Sequence, residues 1–439
     1  MTKNTNAITM AQLLLHTPGA RQPTELGWIS TLGDNLRVSF AADYVADPHR
    51  PTLSQLYTGA NDAESRAILT ARDDERLVRI GKLPSYFGNL LPEGPNRQRL
   101  ADRRGVAVDD EFELLAAAGH DLIGALEVVP ATQDIPAEVL NLHVTKGLEP
   151  LEANAVASPS DDGFSVGGYA TKFSMVASGR RYVIRTGTTA GEILAKLPST
   201  EYPDLVENEA LCYALAGAVG ITTAGATSRP IAELDLPEHV TKAFSQYLHV
   251  PRFDRAVQPD GAIGRIHFEE LAQAVGRDAR NKYKDLPQAM QALLGVLKIS
   301  PASGMNDLKE VFRRWTAYAL MGNTDAHAKN WALMYLDGRH PTLAPAYDIV
   351  CVSAYFDPAQ PDKLGVNRAM DASLRTWSED EAERLAKSVG ILQFNAMRKV
   401  VRDTRQLAKK HWPAILDNAP AHLASHLHQR LTELAPEKT

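Results

Sequence analysis

The chain has 439 residues, 44% hydrophobic and 23% charged, with a net charge of −6 and a pI near 6.1. This is a folded globular protein too long for one ordinary core, so two or three packed units are expected. The acidic balance excludes a chain that binds nucleic acid along its whole length, and two cysteines, Cys212 and Cys351, exclude a disulfide framework or a thiolate cluster. The N-terminal apolar run AITMAQLLL is too short for a secretory signal and follows no real basic segment. No apolar run reaches about 18 residues, so the expected setting is cytoplasmic, with no membrane span.

In chain order, QRLADRR and FELLAAAG read as helices, and LIGALEVVP as a strand closed by Pro130. ATQDIPAEVLNLHV through PSDDG is the best first boundary. A Gly-punctuated β-rich zone follows, with FSMVA and RYVIR predicting a hairpin across Ser178–Gly179, and ILAKLP a third strand. ENEALCYALAGAVGI carries Leu211, Leu215, Ala218 and Val219 at helical spacing, with Gly220 as its stop. From HFEELAQAVG onward the pattern is mostly helical, and the box at Ser378–Glu381 starts one late helix. The expected units are 1–150, 151–255 and 256–439.

NTDAHAKNWALMYLDGRHPTLAPAYD interrupts that helical stretch. Asp325 and Asn330 stand five positions apart, the separation of the base and metal-binding Asn in a protein-kinase catalytic loop. WALMY and the segment before Ala346-Tyr347-Asp348 predict a hairpin over LDGRHP. At about 3.3 Å per residue its two arms cancel, returning Asp348 close to Asn330. A carboxylate and an amide brought together this way suit Mg²⁺. The competing reading is a solvated loop whose Asp and Asn only satisfy turns. Upstream, glycines in the run Ser165–Lys172 let backbone N–H groups approach phosphates, and Lys172 and Lys196 can neutralise them. Glu209, on the following helix, can pair with Lys196; otherwise it is a solvated Glu near a helix N-terminus. Gly loop, strand Lys, helix Glu, Asp/Asn loop, hairpin, Asp is the order of parts a kinase requires.

These motifs resemble the HipA family of serine/threonine kinase toxins from bacterial toxin–antitoxin modules. NLLPEGPNRQRLADRRG, FELLAAAGHDLIGAL, SVGGYATKF, VENEALCYALAGAVGI, VPRFDR, HFEELAQAVG, TDAHAKN and Tyr347-Asp348-Ile349 carry the likeness over nearly the full length. The resemblance implies an α+β, two-lobed kinase-like fold, with an N-terminal β-rich and helical subdomain and a mainly helical C-terminal lobe. It implies Asp325 as catalytic base, and Asn330 and Asp348 as Mg²⁺ ligands. ATP would be held by Gly167, Gly168, Tyr169, Lys172, Lys196, Pro251, Arg252, Phe253, His327, Ala328, Lys329 and Asn330, with Ser165 as an autophosphorylation site and Glu209 pairing Lys196.

The implied partners are a small helix-turn-helix antitoxin of the HipB kind, operator DNA mainly through that antitoxin, and a tRNA-synthetase-like protein substrate whose phosphorylation arrests growth. Ala170 and Thr171 depart from the family's Gln-Glu, and Pro251 from a frequent Glu. Those departures motivate a second reading, a degenerate kinase acting as antitoxin-binding co-repressor. A metal hydrolase using His327 and His340 lacks the HxH or HExxH spacing. The basic run Arg398–His411 reads as a solvated helix face, with phosphate contact as the alternative.

Overall fold

A computed structural model of the chain describes residues 7–131, 134–143, 152–155, 159–160, 171–257, 263–356 and 368–435. The fold is α+β, with two six-stranded sheets and a helical part built around two large cores.

The first sheet orders its strands Val78–Ile80, Asn35–Phe40, Thr24–Leu32, Ala7–Leu15 and Leu126–Pro130, all antiparallel, and Glu152–Ala155 joins Ala7–Leu15 in parallel. Ala7–Leu15 buries residues on both faces. Ile8 and Met10 meet Val139, while Ala11, Leu13 and Leu15 enter the larger core. The helices Gly94–Arg104 and Glu111–Ala118 complete this unit. The first ends at Gly105, whose φ of 69° is easily reached without a Cβ. The second begins where the Asp110 side chain accepts the Glu113 amide.

The second sheet runs Thr227–Pro230, Gln246–Pro251, Ile193–Lys196, Lys172–Ser178, Arg181–Ile184 and Leu234–Asp235. Ser178 pairs with Arg181, so the tight turn is Gly179–Arg180, with Gly179 at φ 61°. The helix Leu205–Ala218 packs beside it, burying Val206, Glu209, Leu211, Cys212 and Leu215.

HFEELAQAVG departs from its helical expectation. His267–Glu270 is a strand pairing Ala332–Tyr335, which pairs Thr342–Leu343; the helix Leu271–Ala274 starts only afterwards. Tertiary pairing decides the conformation here, because all four strand residues are buried against the hairpin. Ala332–Tyr335 lies between two cores. Ala332 and Met334 face the N-terminal core, and Leu333 and Tyr335 face the helical one.

The helical part comprises Leu286–Ile299, Met305–Met321, Arg368–Arg375, Glu379–Ser388, Phe394–Leu416 and Ala421–Leu434. In Phe394–Leu416 the buried positions Met397, Val400, Val401, Thr404, Ala408 and Trp412 follow helical periodicity. At the start of its basic run, Arg398 pairs with Glu379, Asp380 and Glu383, Lys399 with Asp403, and Arg402 with Glu379. That pairing locally neutralises the first part of the basic run.

Candidate active site

A cleft of about 670 Å³ lies between the second sheet and the helical part. Strand register delivers its two lysines. Lys172 stands directly opposite Lys196 on neighbouring antiparallel strands, which puts both side chains on one sheet face, and both are buried. Lys196 Nζ lies 2.7 Å from Glu209 Oε2 and also forms an ion pair with Asp348. Burial opposes the Lys196 ammonium, but Asp348 and Glu209 outweigh it and hold its pKa above the usual lysine range. Lys172 has the opposite balance: burial, then the neighbouring Lys196 charge, brings it down to about 8.

Asp348 follows the hairpin in a left-handed backbone conformation, φ 55°, that an L side chain adopts at a cost. Its amide donates to the Tyr213 hydroxyl at 3.0 Å. Although burial penalises its charge, Lys196 and then Lys172 hold the carboxyl well below the ordinary range.

The floor is the loop after Met305–Met321, which stops at Gly322, φ 67°. Side chains of the loop serve as its internal braces. Asn323 Oδ1 accepts the Asp325 amide at 3.2 Å, and Asn330 Nδ2 donates to the Asp325 carbonyl at 2.7 Å. His327 Nδ1 accepts the Lys329 amide at 3.2 Å, and Trp331 Nε1 donates to the Ala326 carbonyl at 3.3 Å. The His327 ring is neutral, because burial and then Lys282 push its pKa down to about 3. Asp325 accepts a hydrogen bond from the Tyr283 hydroxyl. Burial, then repulsion from Asp348, pushes its carboxyl up to about 7.

The remaining expected positions divide. Ala328 is fully buried and sits in the loop's backbone, its amide donating to the Lys282 carbonyl at 3.0 Å. Lys329 lines the cleft, but its ammonium is engaged by the Asn89 carbonyl at 3.0 Å, Glu93 at 3.1 Å and Glu270 at 3.3 Å. The Arg252 guanidinium is likewise committed, to Asp121 at 2.8 Å, Asp254 at 2.7 Å and the Leu122 carbonyl at 3.1 Å. Pro251 and Phe253 border the cleft, and Phe253 forms an aromatic wall with Phe268 and Tyr347 at 4.9 and 5.5 Å. Ser165, Gly167, Gly168 and Tyr169 lie outside the described residues. His340 is half-exposed and pairs with Asp337 at 2.7 Å on the hairpin turn. Among the described residues no three His, Cys, Asp or Glu side chains converge as metal ligands. Asn330 and Asp348 both line the cleft and offer oxygen donors, the chemistry of Mg²⁺ rather than of zinc.

Sequence reading missed Tyr283, Lys282, Glu93 and Glu270. Glu93 reaches the cleft from the N-terminal unit, and Lys329 and Lys282 hold its carboxyl down to about 2 although burial opposes this. Lys282 and Tyr283 lie in no motif, and Glu93 and Glu270 lie in the NLLPEG and HFEEL motifs, which give them no role of their own; only long-range folding brings the four to Asp325 and Lys329.

Comparison with known proteins agrees with this architecture. Residues 21–129 match the model of the HipA N-terminal domain, and residues 164–412 that of the HipA-like C-terminal domain. Over 392 residues the chain is 31% identical to Y4dM of Sinorhizobium fredii, covering 87% of each chain. It is 26% identical over 322 residues to the serine/threonine-protein kinase toxin HipA of Shewanella oneidensis, covering 66% of this chain and 68% of that one. The fold superposes with TM-score 0.66 and 18% identity on a chain from the Shewanella oneidensis complex of HipA, HipB and operator DNA, covering 97% and 96% of the two chains. No described helix is long and apolar enough to cross a membrane. Two domain models in the right order, a relative matched over 87% of each chain and the shared fold together place this chain in the HipA-like kinase family.

Proposed function

We propose that the chain is a Mg²⁺- and ATP-dependent serine/threonine protein kinase, acting in the cytoplasm as the toxin of a toxin–antitoxin pair. One observation carries the reading. Lys196 is fixed between Glu209 and Asp348 on one wall of the cleft, while Asp325 stands on the floor with a hydroxyl as its hydrogen-bond donor. This separates phosphate-neutralising charge from a proton acceptor, as phosphoryl transfer needs. Asp325 takes the proton of the acceptor hydroxyl. Lys196 and Lys172 would supply positive charge for the phosphates, and the Val250–Pro251 strand end with Phe253, which line the cleft, would border the adenine. Asn330 and Asp348 would hold Mg²⁺, which supplies further charge neutralisation.

The units 1–150, 151–255 and 256–439 would act as N-terminal subdomain, nucleotide lobe and catalytic lobe. The partners that fit the family are a HipB-like helix-turn-helix antitoxin, operator DNA reached through it, and a tRNA-synthetase-like substrate, with Ser165 as self-silencing site. A phosphate there, of charge near −2, would repel the nucleotide.

Intact-mass spectrometry before and after Mg²⁺-ATP tests the reading, with Asp325→Asn alongside. A phosphate-sized gain in wild type only, on itself or an added substrate, is expected. Equal labelling of Asp325→Asn would remove Asp325 from its role. A protein that binds antitoxin but no nucleotide would be the co-repressor instead.

A further inference from the structure

Glu93 comes from outside the kinase-like core, at the entry to the helix Gly94–Arg104, yet its carboxylate lies in the cleft. One oxygen accepts from Lys282 Nζ at 2.7 Å, and the other lies 3.1 Å from Lys329 Nζ. Both lysines belong to the machinery around Asp325. Lys329 is part of the catalytic loop and is also tied to the Asn89 carbonyl. Lys282 accepts the Ala328 amide on its own carbonyl and precedes Tyr283, whose hydroxyl reaches Asp325 and whose ring meets His327 edge-on at 4.9 Å. One N-terminal carboxylate therefore holds this loop directly at Lys329 and indirectly through Lys282, whose carbonyl receives the Ala328 amide.

We infer that Glu93 is a positioning residue for phosphoryl transfer, clasping Lys282 and Lys329 so that the Lys282–Tyr283 segment holds Asp325 at a fixed place in the cleft. The inference deepens the kinase reading and rests on it. A carboxylate is required because two ammonium groups share it. An amide would offer one of them a donor instead of an acceptor, and charge-assisted hydrogen bonds exceed neutral ones in strength. Glu93 touches no reacting atom in this scheme; it acts through the loop.

The test compares wild type, Glu93→Gln, Lys282→Met and the double variant by phosphotransfer kinetics and by amide hydrogen exchange without nucleotide. Loosening the base's position is expected to lower kcat on the order of 100-fold with KM for ATP little changed. The Ala328 amide should exchange faster in both single variants, while exchange in the helix Phe394–Leu416 stays at the wild-type rate and reports an intact fold. The double variant should lose no more than the worse single one, since both remove the same clasp. Wild-type kcat in Glu93→Gln, or additive losses, would overturn the inference. If Glu93→Gln does not fold, Lys282→Met decides, its side chain being 19% exposed at the cleft rim. A wild type that transfers nothing would sink the kinase reading alone; unchanged Ala328 protection in the variants would then still overturn the clasp.

Discussion

Glu269 is a fully buried carboxyl, and its neighbours explain how it survives there. Ser54 and Tyr335 hydroxyls donate to it, the latter at 2.5 Å, as does the Gln55 amide at 2.9 Å. Burial still dominates and pushes its pKa up to about 7. The folded protein thus binds this proton more tightly than the unfolded chain does. Its contribution is fully present below the ordinary glutamate range and is lost as pH rises through about 7. The loss amounts to about 3 kcal/mol, at roughly 1.4 kcal/mol per unit of pKa. Glu269→Gln should abolish this dependence, so urea denaturation at about pH 5 and about pH 8 should show its advantage over wild type growing with pH. An advantage independent of pH would remove Glu269 as the source. Such residues are illegible in sequence: nothing in HFEEL distinguishes a core carboxyl from a solvated one.

Among elements, the loop of Asp325 and Asn330 and the hairpin after it were legible and their surroundings were not. Asp325, Asn330 and the turn at Asp337-Gly338 carry local signals, since spacing and turn chemistry act over a few residues. His267–Glu270 was misread as part of a helical stretch because its partner, Ala332–Tyr335, lies far along the chain. Lys282 and Tyr283 belong to no periodic element at all. The pairing of Lys196 with Glu209 sits between these cases, suggested by order and fixed by the packing of the helix Leu205–Ala218 beside the second sheet.

The junction at Gly322 gives a test at this scale. It ends Met305–Met321 in the left-handed region, and a Cβ there would come within 1.9 Å of Ser353 Oγ, itself bonded to His426 at 2.7 Å. Gly322→Ala should lower unfolding free energy by about 1–3 kcal/mol, measured by chemical denaturation. Wild-type stability would mean that the helix stop relaxes without moving the loop.

Across the whole molecule, the N-terminal unit is joined to the rest by buried polar contacts as well as by shared apolar core. Asp121 receives Arg252, Arg255 and Arg185, and Glu93 receives two lysines. Arg252 stands in a stretch resembling a nucleotide hinge, yet its guanidinium serves this joint, a role that only the folded chain discloses. The facing lysines of the second sheet have a different kind of global consequence. With Lys172 brought down to about 8, the empty protein is short of part of a proton near that pH. A polyanion entering between the two ammonium groups would restore the missing charge by drawing hydrogen ions from solution. Binding heats measured by titration calorimetry should therefore depend on the ionisation enthalpy of the buffer, with net uptake near pH 8 that disappears in Lys172→Met. The cleft would then couple nucleotide capture to the acidity of its surroundings, and a buffer-independent heat would show that Lys172 keeps its proton throughout.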